Sequence, residues 1–109
     1  MLVLFDQGTP VPLRQFLAGH TVRTAAEQQW TTFGNGALIR AAEAAGFEVL
    51  VTTDKNIRYQ QNLTGRRIAI VVLGQGRWPI VRLHAQRVVD AVNAATPGAY
   101  AEVEILDEQ

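Results

Sequence analysis

A chain of 109 residues, 48% of them hydrophobic, holds one ordinary core and is too short for two. It contains no cysteine and no serine, which excludes disulfides, thiolate metal sites and Ser- or Cys-centred triads, and leaves threonine as the hydroxyl nucleophile. Ten basic and ten acidic side chains cancel, yet Glu102, Glu104, Asp107 and Glu108 crowd the last eight residues, leaving ten basic against six acidic groups, or +4, in residues 1–101.

In chain order, MLVLFD (1–6) reads as an apolar strand ending on Asp6. TPVPLRQFLAGH (9–20) offers a threonine cap, prolines for a first helical turn, and Leu13, Phe16 and Leu17 on one face, closed by Gly19. HTVRTA (20–25) predicts a short second strand and AEQQW (26–30) a helical turn. GNGALIRAAEAAG (34–46) predicts a helix with Asn35 near its cap and Gly46 beyond its end. EVLVTTD (48–54) is a third strand, in which Val49, Leu50 and Val51 run directly into Thr52, Thr53 and Asp54. NIRYQQNLTG (56–65) reads as a short helix or turn and RRIAIVVLG (66–74) as a nearly all-apolar fourth strand. Residues 79–95 predict the longest helix, with Val81, Ala85, Val88 and Val92 as its buried stripe. YAEVEI (100–105) alternates acids with apolar residues, as an edge strand with one wet face does.

Continuous apolar strands separated by helices predict a mainly parallel sheet covered on both faces, a three-layer α/β domain over residues 1–109. No stretch reaches the roughly 18 to 20 apolar residues of a membrane span. The opening lacks a basic leader, so a cytoplasmic location is expected. In such sheets ligands bind beyond the carboxyl ends of the strands. Asp6, Asp54 and Gly74 stand there, and two carboxylates at strand ends suit a divalent cation. The competing reading is that each aspartate caps the turn that follows it. His20 and His84 read as structural, and GQG at 74–76, without a third glycine, is a weak dinucleotide signature. Most arginines read as surface residues, but Arg77 and Trp78 beside a strand end, with Lys55 after Asp54, are candidates to touch a phosphate and a base.

LFDQGTPVPLRQFLAGHTV (4–22) together with NGALIRAAEAAGFEVLVTTDKNI (35–57) resembles the short PIN-like domains related to the VapC toxin ribonucleases. The likeness covers about residues 2–73 well and the rest loosely. It implies a five-stranded αβα sandwich in the order 3-2-1-4-5, and a ribonuclease using Mg²⁺ or Mn²⁺ to activate water against a phosphodiester. It also implies RNA as substrate, a small antitoxin as partner and a homodimer. Asp6 falls on the family's first acid and Asp54 on its third, while Asn35 and Asn56 fall on the other two. Two amides thus replace two charges, so Asp6 and Asp54 are expected as metal ligands and catalytic groups, with Asn35, Asn56, Thr52 and Thr53 supporting them. The alternative is a non-catalytic module that binds RNA or a partner protein through the same cleft. A phospho-acceptor receiver is disfavoured by Phe5 before Asp6, by Leu73-Gly74 at the fourth strand's end, and by Lys55 being the one lysine.

Overall fold

The computed structural model describes residues 1–107, so Glu108 of the acidic run lies outside the described residues. Five strands, β1 (Leu2–Phe5), β2 (Thr21–Thr24), β3 (Val49–Thr52), β4 (Ala69–Leu73) and β5 (Tyr100–Val103), form one sheet in the order β2-β1-β3-β4-β5. All four pairings are parallel. The helices are α1 (Asn35–Ala44), α2 (Ile57–Gln60), α3 (Trp78–Val81) and α4 (Ala85–Ala94), with 3₁₀ turns at Val11–Phe16 and Arg82–His84.

Strand parity divides the core into two layers. Phe5, Val51, Val71 and Leu73 pack with the 3₁₀ turn at Val11–Phe16, α3 and α4. Leu4, Leu50, Ile70 and Val72 pack with α1 and α2, which contribute Leu38, Ile39, Ala42 and Ile57. The three-layer α/β architecture expected from the apolar runs is the one observed. Among the described residues no helix is long and apolar enough to cross a membrane.

The strand order differs from the expected 3-2-1-4-5, and side-chain patterning gives the reason. β3 is buried at all four positions and needs a strand on each side. β2 exposes Thr21 and Arg23 and fully buries Val22 alone, the pattern of an edge. β3 therefore lies directly against β1, and β2 takes the outside. The chain leaves β1 in one direction to β2 and returns on its other side to β3, which makes the β1/β3 junction the point where strand order reverses.

Three local expectations also change. Thr9 is not a helix cap: its buried hydroxyl donates to the Val51 carbonyl at 2.8 Å, and the following segment, with Pro10 and Pro12 at its start, winds as 3₁₀. Residues 25–29 form turns without a helix, with Gln29 at φ 63°. The single helix expected over 79–95 is broken at His84 (φ −117°, ψ 17°), whose Nε2 bonds the Leu106 carbonyl at 2.9 Å. α1 begins after Gly34 with no side-chain cap, which leaves the Asn35 amide free for other work. It ends as expected. Gly46, at φ +87°, lets its own N–H and that of Phe47 turn back to the Glu43 and Ala42 carbonyls.

Candidate functional site

Both aspartates emerge at the β1/β3 junction. Adjacent strands are about 4.8 Å apart, so the observed order brings Asp6 and the end of β3 nearer than an intervening β2 would allow. Thr52, the last residue of β3, is wholly buried and joins them. Its hydroxyl donates to Asp6 Oδ2 at 2.9 Å and accepts the Asp54 N–H at 3.1 Å. The hydroxyl is thus oriented by its acceptor, the Asp6 carboxylate, on one side and by a backbone donor on the other.

The remaining carboxylate oxygens are also engaged. Asp6 Oδ1 accepts the Gln7 N–H at 2.8 Å. Asp54 Oδ1 accepts the Asn56 N–H at 2.9 Å, an Asx turn that opens the path into α2. Asp54 Oδ2 accepts from Asn35 Nδ2 at 2.6 Å, and the same amino group lies 3.5 Å from Gln60 Oε1. A carboxylate cannot donate, so the amino side of Asn35 must face Asp54 and its carbonyl must point away.

Glycines hold the surrounding loops together. A Cβ on Gly8 would collide with the Thr53 hydroxyl, and one on Gly76 with the Gly8 carbonyl oxygen. A Cβ on Gly74 would stand 3.0 Å from the Ile105 N. The glycines of GQG therefore serve backbone approach, and Thr53 is the wedge between two loops. Asp54 does cap the turn that follows it, through the Asn56 N–H, as the plainer reading held, and Asn35 is brought onto the same carboxylate.

Of the candidate RNA contacts, Trp78 is turned toward the core. Lys55 is exposed and lines a surface cavity of about 250 Å³ with Glu102 and Glu104. Arg77 is exposed, but Trp78 packs into the opposite layer, its ring 5.9 Å from Phe16. The histidines are structural. His20 joins the Met1 amino group (3.1 Å) to Asn93 Oδ1 (2.7 Å), and His84 holds the C-terminal segment.

A Mg²⁺ or Mn²⁺ ion takes about six oxygen ligands. Here two carboxylates face protein donors at every oxygen, and the amide in the third position presents nitrogen. Among the described residues no three His, Asp or Glu side chains stand together as a metal-binding group. The residues present do not fit a directly bound divalent cation; Asn35 and Thr52 supply the positive dipoles that a cation would.

Gln60, Arg58, Tyr59 and Tyr100 were missed in the sequence. The signal for the first three was the run NIRYQQN, a one-turn helix with Ile57 as its single buried residue and the rest polar or aromatic; Tyr100 opens β5 and carried no such signal. Comparison with protein-family models, curated proteins and solved structures finds no match.

Proposed function

We propose that this chain is a PIN-like module that binds single-stranded RNA at its carboxyl edge without cutting it. The observation that carries this reading is the 2.6 Å bond from the Asn35 amide to Asp54. In a metal nuclease that position holds a second charge and a cation bridges the pair. Here a neutral donor satisfies the carboxylate directly. Together with Asn56 on the fourth acid position, the exchange lowers the negative charge from −4 to −2, which roughly halves the repulsion a bare phosphodiester meets when no metal is present.

RNA is favoured over a protein partner by the rim. Between residues 54 and 62 the exposed side chains are Lys55, Asn56, Arg58, Tyr59, Gln60 and Asn62, with no aliphatic among them. Protein interfaces also use tyrosine and arginine anchors, but seated in packed pockets closed to water; an open run of amides, a cation and an exposed ring is the set of groups that holds unstacked bases.

The test compares the natural protein, Asp54→Asn and the double variant Asn35→Asp/Asn56→Asp on one labelled RNA, with EDTA and with Mn²⁺. Binding in EDTA with no cleavage in Mn²⁺ is expected of the natural protein. Mn²⁺-dependent cleavage that Asp54→Asn abolishes would instead establish the ribonuclease, with an antitoxin and a homodimer as the partners to seek. Absence of RNA binding in EDTA would overturn the proposal.

A further inference from the structure

Tyr59 is the most exposed large apolar side chain among the described residues, at 72%, and packs against no core. It is nevertheless held. Arg58 donates to the Tyr59 hydroxyl at 2.7 Å, and the guanidinium carbon lies 4.8 Å from the Tyr59 ring centre and 5.1 Å from that of Tyr100. Tyr100 is half-buried against the α1/α2 layer. Glu102, two residues on in β5, places a carboxylate oxygen 3.7 Å from the same guanidinium. A guanidinium is charged throughout the working pH range, and the Tyr59 hydroxyl, then the nearby negative charge, shift the Arg58 pKa further upward. The result is a short column from the sheet outward: Tyr100, Arg58, Tyr59, then solvent.

We propose that Tyr59 is a stacking platform for one unpaired base, oriented in advance by Arg58, beside the amides of Asn56 and Gln60 on the same turn. This rests on the RNA-binding reading and specifies which part of the RNA is held. A ring fixed by a cation loses little rotamer freedom when a base lands on it, and every base has a π-face to offer. Asn56 lies three residues before Tyr59, at the spacing of neighbours on one side of a turn, and Gln60 reaches toward Asn35, the donor to Asp54. Amides carry both donor and acceptor and can meet a base edge. Phe16, another exposed ring, packs instead against Trp78, whereas among the described residues the rings set against a cation are Tyr59 and Tyr100, both on Arg58.

The experiment measures anisotropy of a fluorescein-labelled single-stranded RNA of about 12 nucleotides, a length within the usual site size. A strand of equal length with abasic positions serves as the second probe, both in EDTA. Tyr59→Ala is expected to weaken RNA binding about tenfold, Tyr59→Trp to retain it, and Phe16→Ala to leave it unchanged. Binding of the abasic strand should not respond to Tyr59→Ala. Unchanged RNA affinity in Tyr59→Ala would overturn the platform while leaving the RNA-binding reading intact. An equal loss on both strands would overturn it too, since stacking needs bases. Failure of the natural protein to bind either strand overturns the RNA reading itself.

Discussion

The Asn35 amide and Asp54 carboxylate form a matched pair, and each side can be unbalanced separately. Asn35→Ala removes the donor from a half-buried carboxylate that water can partly reach, and should cost about 1 kcal/mol, the ordinary net worth of an intramolecular hydrogen bond. In a domain of this size that is a fall of roughly 4 to 8 °C in melting temperature, measurable by calorimetry. Asn35→Asp instead presses two carboxylates together. It should melt lower in EDTA and recover with Mn²⁺, whereas the natural protein should show no such gain; equal response to Mn²⁺ in both would mean the natural site already takes the ion. Glycines give a second contrast. Gly76→Ala strikes backbone at Gly8 and should cost about 1 to 3 kcal/mol, more than Gly8→Ala, whose obstacle is a threonine hydroxyl that a rotamer change can move. Urea melts of the two variants rank them.

At the scale of elements, the identity of the strands was legible because β3 and β4 are unbroken apolar runs, and Asp6 and Asp54 were legible as strand-end acids. Strand order was not carried by the family likeness. It was present in the polarity of TVRT, which fits an edge, but that pattern competes with a resemblance that places the strand inside. Asn35 looked like a lost acid; its partner could not be read, because the pairing joins residues on α1 and after β3. Glu43 shows how α1 is tied to the sheet. Its carboxylate accepts Arg66 (2.8 Å) and the N–H groups of Arg67 (2.7 Å) and Ile68 (3.3 Å) at the entrance to β4. Burial works to raise its pKa, but these donors and the Arg66 charge outweigh it, and the net shift is downward. A lowered folded pKa means stability present above the ordinary glutamate value of about 4.3 and lost as pH falls through the folded value. Glu43→Gln should therefore be less stable than the natural protein by about 1 kcal/mol at pH 7. The two should converge in acid, which paired thermal melts at neutral and acid pH would show.

For the whole molecule, formal neutrality makes long-range attraction a small part of any RNA binding. Lys55 is the exposed cation nearest the site that forms no ion pair among the described residues, since Arg58 is taken up by its tyrosines and Glu102. One or two phosphate contacts predict a shallow salt slope, about −0.7 to −1.4 in log K against log salt for a single strand. A steep slope in a titration from low to moderate salt would place the RNA elsewhere on the surface. The interlock of Gly8, Thr53 and Gly76 carries a consequence for how such a site can change over time. An inserted residue in any of these three loops levers the other two apart, so lengthening a loop, the usual way a binding edge acquires new preferences, is closed to this molecule. What can vary is side-chain identity at positions 35, 56, 59 and 60. Divergence at this edge then proceeds by substitution alone, while a turn with open space, such as the one at Gly19, absorbs the insertions.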